Sequence, residues 1–253
     1  MLRRMPVAHI ATAELEAPEQ LTLALTATAP RPPNDLRPML ARAAADLPDG
    51  RAPYLFDAEW GGLRVLARAD ELAPRLIGPR GGDLTARFPE VAAGLRRVAV
   101  STGPCLLDGE LLVPGADARP DAAALRARGH GASGPAAAYL CWDLLHVAGR
   151  SLLARPLAER RGRLLEVVAP VPHLVPLAPF DADGRELLVA IRGQRWAALV
   201  AKRADSPYLP GVRSRLWRRI AAAREPGSAG PIAALERERR TPALVALLRL
   251  PLG

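Results

Sequence analysis

Residues 106–113 read LLDGELLV. The apolar run on either side of the Asp-Gly-Glu triplet predicts a buried strand, with CLLD at 105–108 continuing through ELLV at 110–113. Downstream, AYLCWDLL at 138–145 predicts a second buried strand, closed by a turn at Ala148-Gly149-Arg150. PLAERRGRLLEVV at 156–168 has helical spacing with Pro156 in the first turn, and another helix fits 183–193. ALVAKR at 198–203 and LWRRI at 216–220 read as strands, and 231–249 as a short apolar and basic helix. Upstream, YLFD at 54–57 and LRVLA at 63–67 read as strands joined through Trp60-Gly61-Gly62 in a hairpin-like signal. RRVAV at 96–100 looks extended, and GPRGGDLT within 75–85 looks like a turn. Residues 114–135 are Gly, Ala and Pro rich, with one weak helical stretch near AAALRAR. Strands and helices mix without a βαβ rhythm, so the expected class is α+β. The expected organisation is a poorly ordered arm over 1–33, a folded body over 34–220 and a short basic helical tail over 221–253.

Composition narrows the function classes. The 253 residues are 49% hydrophobic with a net charge of +9, which suits a soluble globular protein. No apolar run is long enough to cross a bilayer, and MLRRMPVAH carries no apolar core of a signal peptide. Two cysteines, Cys105 and Cys141, make neither a disulfide framework nor a zinc knuckle, so a cytoplasmic protein with reduced thiols is expected. The charge is uneven. Residues 192–253 hold 13 basic and 4 acidic side chains, whereas residues 1–191 hold 22 of each. Such an excess suits a polyanion, because neutralised phosphates release counterions. Lys202 is the only lysine. In a chain rich in Ala, Pro, Gly and Arg, a lysine that arginine has not replaced can be retained for its own chemistry.

Several ordered segments together resemble the adenylation domain of ATP-dependent DNA ligases, of the bacterial kind linked to end joining. They are PMLA at 38–41, FDAEWGGLR at 56–64, DLTARFPE at 83–90, LLDGELLV at 106–113, AYLCWDLLHVAGRSL at 138–152 with PLAERR at 156–161, and LVAKRADSPYLPGVRS at 199–214 leading to Trp217. The resemblance spans about residues 34–220 and implies the nucleotidyltransferase fold: antiparallel sheets with flanking helices and a nucleotide-sized cleft between them. In that family a lysine attacks the α-phosphate of ATP to form lysyl-AMP. The AMP passes to a DNA 5′-phosphate and is displaced by the neighbouring 3′-hydroxyl, with Mg2+ and further cations offsetting phosphate charge. ATP and Mg2+ as cofactors, DNA as partner and end-joining proteins as further partners are therefore implied.

The chain departs from the family at its centre. The pattern Glu-x-Lys-x-Asp-Gly-x-Arg falls on Asp57, Glu59, Gly61, Gly62 and Arg64. The nucleophile slot is thus Glu59, and no shift of register restores a lysine. A carboxylate about 4 Å from phosphate charge repels it by about 4 kcal/mol at an effective dielectric of about 20. By resemblance, Arg64, Glu110, Trp142, Lys202 and Arg219 would contact nucleotide, and Glu110 would also be the metal contact. Trp142 stands where the family has Phe. Ala197-Ala198 replaces a Glu-Gly that brings a metal ligand, and Arg219 and Ala221 replace two lysines. The 33 residues after Ile220 are too few for the OB-fold of active ligases, so none is expected.

Plainer roles compete with these. Lys202 could be a substitute nucleophile, a phosphate contact or a simple strand lysine. Asp108 and Glu110 could hold a metal or merely bond Arg64 or Lys202. Gly78 to Gly82 could cradle phosphate or form a turn. His9, His130, His146 and His173 have no metal spacing. Arg213, Arg215, Arg218 and Arg219 could grip a DNA backbone, or guard a solvated edge strand; strict alternation puts Arg218 on the opposite face from the other three. The readings that follow are a ligase-family pseudoenzyme that binds DNA or a partner, an active ligase or nucleotidyltransferase completed by a partner or using Lys202, and a nucleotide-binding regulatory module without a DNA role.

Overall fold

A computed structural model describes residues 32–33, 35–115, 120–194 and 196–222. The expected arm, His9 and the helix over 231–249 lie outside the described residues, apart from the arm's last few positions. The elements run in the order β1 (Leu40–Ala44), β2 (Tyr54–Glu59), β3 (Leu63–Ala69), β4 (Arg75–Ile77), α1 (Pro89–Thr102), β5 (Cys105–Leu112), α2 (Ala122–Gly129), β6 (Ala138–Val147), β7 (Arg150–Ser151), α3 (Leu157–Val167), β8 (Leu174–Pro176), α4 (Gly184–Gln194), β9 (Ala198–Arg203) and β10 (Arg213–Ala221). The class is α+β, as expected. One sheet has the order β1-β10-β9-β2; the other has β4-β3-β5-β6-β7, with β8 added on β6. Pairing is antiparallel except β1 with β10 and β6 with β8, which run parallel. Among the described residues no helix is long and apolar enough to cross a membrane.

Two local expectations are corrected. β2 and β3 form no hairpin: β2 pairs with β9 in the first sheet, and β3 pairs with β4 and β5 in the second. The Trp60-Gly61-Gly62 link carries the chain from one sheet to the other. Gly61 takes a left-handed φ of 86°, and Gly62 lies so close to β5 that a Cβ would come 2.1 Å from the Leu111 carbonyl oxygen. The backbone at Gly61 favours glycine, and the close approach at Gly62 requires it. Residues 96–100 are helical, not extended. The short RRVAV window hides the spacing of Val91, Ala92, Leu95, Val98 and Ala99, which form the buried stripe of α1. Pro89 opens that helix and Gly103, at φ 72°, closes it.

Alternation along β5 and β6 divides the second sheet into two faces. Leu107, Leu111, Tyr139 and Cys141 pack with α1 residues Val91, Leu95 and Val98 on one face. The other face carries Leu106, Asp108, Glu110 and Leu112. In the first sheet, Leu199 and Ala201 pack with Leu187 and Ile191 of α4, so Lys202 projects from the opposite face. There it meets Trp217 and Trp142, flanked by a cluster containing Met39, Leu66, Leu106, Tyr208 and Trp217.

Candidate functional site

The charged residues between the sheets are held by one another. Asp57 on β2 is buried and accepts from Nη1 of Arg161 at 2.7 Å on both oxygens. The Lys202 ammonium lies 2.8 Å from the same carboxylate. Lys202 is 1% exposed and sits 4.7 Å from the Trp142 ring centre and 4.6 Å from that of Trp217. Burial lowers its pKa to about 8, helped by the charges of Arg161 and Arg64 and opposed by Asp57. Burial alone would raise the Asp57 carboxyl, but Arg161 and Lys202 outweigh it and hold the group below its ordinary range.

Arg64 on β3 pairs with Asp108 through two bonds of 2.6 and 2.5 Å, and its guanidinium lies 4.8 Å from the Trp142 ring centre. Asp108 also accepts from the Tyr208 hydroxyl at 2.8 Å, whose oxygen accepts the Met39 N–H at 2.9 Å. Glu110, on the same face of β5, accepts the Gly62 N–H in a short bond. Of the two partners expected for this pair, Arg64 goes to Asp108, while Glu110 holds the link between the sheets. Burial pushes the Glu110 pKa up to about 7; the Glu59 charge adds to this, and the Gly62 N–H and Arg64 oppose it. Among the described residues the buried indole Nε1–H of Trp142 has no acceptor.

Glu59, expected in the nucleophile slot and found at the end of β2, pairs with Arg219 of β10 across the intervening strand β9, with Oε2 2.5 Å from Nε. Both side chains are about one-third exposed, at 35% and 37%. Ala197 donates its N–H to the Glu59 carbonyl at 3.0 Å, and Ala221 ends β10 without a charge. Among the described residues no three His, Cys, Asp or Glu side chains converge as a metal cage. The glycine loop is a turn: Gly78 donates to the Gly82 carbonyl and Gly81 to that of Gly78, both at 2.9 Å. His130 and His173 bond backbone carbonyls through Nδ1.

The four arginines expected to meet DNA are dispersed. Arg219 is paired with Glu59, and Arg218 lies 5.9 Å from the ring centre of Tyr54 on the other face. Arg213 and Arg215 are exposed, and Arg213 donates to the Ala41 carbonyl at 2.8 Å. The register against β1 jumps from Ser214 to Arg218 between Ala41 and Arg42, so simple alternation does not hold along β10. Exposed Arg37 and Arg42 lie beside Arg213 and Arg215 on this edge. Sequence reading missed them because they are separated from β10 by over 170 positions.

Sequence reading also missed α3 as the clasp between the sheets. Arg160 is fully buried and forks onto Asp143 of β6 with two bonds of 2.8 Å. Its neighbour Arg161 reaches Asp57 in the other sheet. The signal was present: Leu157, Arg160, Arg161 and Leu164 follow helical spacing, so both arginines lie on the buried stripe.

The domain model described as "ATP dependent DNA ligase domain" matches residues 38–220, and the chain belongs to that family. It is 32% identical over 184 residues to the multifunctional non-homologous end joining DNA repair protein LigD of Mycobacterium tuberculosis, covering 73% of this chain and 24% of that protein. It is 34% identical over 191 residues to DNA ligase C1 of Mycolicibacterium smegmatis, covering 70% of this chain and 54% of that one. The chain therefore spans about a quarter to about half the length of these curated relatives. The ligase domain of M. tuberculosis LigD superposes with a TM-score of 0.63 at 31% identity, covering 74% of this chain and 60% of that one. A mycobacterial DNA ligase D complexed with ATP and MES gives a TM-score of 0.61 at 29% identity, over 74% and 60% of the two chains. The two-sheet architecture is thus that of ATP-dependent DNA ligase adenylation domains.

Proposed function

We propose that this chain is a ligase-family pseudoenzyme of the end-joining type, which does not adenylate itself and works by binding DNA or a partner. The observation that carries the reading is the Glu59–Arg219 ion pair. A carboxylate occupies the nucleophile slot, and it neutralises the cation retained at the distal end of the site. ATP and Mg2+ do not fit this arrangement as the family would use them. Arg64, Lys202 and Arg219 are each committed to an internal carboxylate, and the positions at Ala197 and Ala221 bring no ligand or charge. Among the described residues, an exposed edge bearing Arg37, Arg42, Arg213 and Arg215 stays open to a polyanion. DNA would be held there through phosphate contacts without base readout.

One observation favours a second reading, catalysis through Lys202. Its lowered pKa leaves a fraction of neutral amine near pH 8. Incubation with ATP and Mg2+ followed by intact mass measurement decides between the two. The pseudoenzyme predicts no added AMP. A covalent adduct would overturn it and, with only one lysine in the chain, a lysyl phosphoramidate could form only at Lys202, with pyrophosphate released.

A further inference from the structure

A cavity of about 580 Å³ lies beside the link between the sheets, walled by Gly61, Gly62 and Leu63, by the Gly78–Gly82 turn with Leu84, and by α2. It contains none of the residues that would meet a nucleotide by resemblance. Its volume is in the range of small-molecule sites. The walls combine two chemistries. Leu63, Leu84 and Leu125 with the flat glycine backbone offer apolar surface to a planar ring. Arg80 and Arg126 bring donors and positive charge and His130 a ring nitrogen, and all three are exposed. Among the described residues no carboxylate lines it. The turn's own N–H groups at Gly78 and Gly81 are used internally, so an anion there would be met by side chains and not by a backbone cradle.

We infer that this cavity takes one unpaired nucleotide of a DNA strand end, with the base against the leucines and glycines and its phosphate against Arg126 and His130. This rests on the DNA-binding reading above. It goes beyond that reading, because the arginine edge on β1 and β10 would hold duplex backbone whether or not a single-stranded extension were present. Apolar contact with leucine and glycine surface is tolerant of sequence, so the preference would be for an unpaired end over a blunt one and not for a particular base.

Gly129 gives a clean probe. It closes α2, lines the cavity, and a Cβ there would meet nothing within 4 Å, so Gly129→Trp fills the space without touching the ion pairs. Arg126→Ala is a second, surface variant. Fluorescence anisotropy on the full chain compares a blunt hairpin with the same hairpin bearing a short single-stranded extension. The extension should tighten binding about tenfold. Each variant should bring the two DNAs within about twofold of one another while leaving blunt binding unchanged. An extension that gains nothing, or a gain that survives in both variants, overturns the inference. Calorimetric titration with thymidine 5′-monophosphate separates this from the DNA-binding reading. If no DNA of either form binds, the arginine-edge reading fails, and the cavity stands only if the mononucleotide binds the native chain and not Gly129→Trp. Failure of the mononucleotide to bind in that case overturns the cavity as well.

Discussion

Replacing Asp57 by Asn tests the centre of the site. Arg161 at 2.7 Å and Lys202 at 2.8 Å share this one carboxylate, and all three side chains are at least nine-tenths buried. Removing the charge leaves two buried cations without their counterion. Breaking a buried pair from one side costs about 3–5 kcal/mol, and in a folded body of this size each kcal/mol shifts Tm by about 2–4 °C. The expected fall for Asp57→Asn is therefore about 6–20 °C near neutral pH. The pH dependence has a definite sign. Lys202 has a native pKa of about 8, below its ordinary value of 10.5, so the native state sheds this proton before the unfolded state does. Stability from this group rises with pH between those values. Asp57 opposes that lowering, so without it the lysine pKa falls further. The variant can then relieve its excess charge by releasing the proton at a lower pH, which Arg161 cannot do. The deficit should be largest in mildly acid buffer and shrink as pH approaches about 8. Thermal melts of both proteins across that range read it directly. A variant within about 2 °C of the native protein at every pH would refute the shared buried carboxylate.

Four other variants test separate parts of the reasoning. Glu59→Lys with Gly61→Asp rebuilds the family's entry pattern. It should recover some ATP binding by calorimetry but little nick sealing, because Ala197 and Ala221 are unchanged. It should also lower Tm by a few degrees, because Gly61 sits at φ 86°, where a side chain costs about 1–2 kcal/mol. Gly62→Ala forces a Cβ to 2.1 Å from the Leu111 carbonyl and should cost about 3 kcal/mol in urea denaturation. Gly162→Ala, whose Cβ would meet nothing within 4 Å, should be neutral or stabilising by up to about 1 kcal/mol. Arg213→Ala with Arg215→Ala should weaken DNA binding across all sequences and reduce the slope of log affinity against log salt by about 1 for each phosphate no longer neutralised; an unchanged slope would remove this edge from the interface.

The parts of the fold legible in the sequence were those set by continuous burial. Residues 105–113 and 138–145 are buried on both faces of a central sheet and mostly apolar, so their runs need no tertiary information. The 96–100 segment misled because Val98 and Val100 are β-branched and a five-residue window cannot separate periods of 2 and 3.6. The 14 residues of α1 can. The hairpin signal misled for a different reason. Two strands and a glycine pair also describe a crossing between sheets, and only the pairing of β2 with β9 tells them apart. At the site, the absence of lysine from position 59 was fully legible, whereas the fate of the glutamate was not. Its partner lies 160 positions away, and the ion pair depends on β10, β9 and β2 lying side by side.

The same order of strands gives the lone lysine a physical reason. Around Lys202 stand Arg64 and Arg161, with Asp108 and Asp57 as their counterions. An arginine at 202 would make three permanent cations against two carboxylates in a space closed by Trp142 and Trp217. A guanidinium cannot lower that charge, since it keeps its proton at any pH the fold survives. An amine can, and with its pKa at about 8 it does so close to neutrality. Arginine could replace lysine wherever the surroundings ask only for charge. At 202 they ask for a cation able to become neutral, which is a requirement of burial and holds whether or not the chain retains any adenylation chemistry.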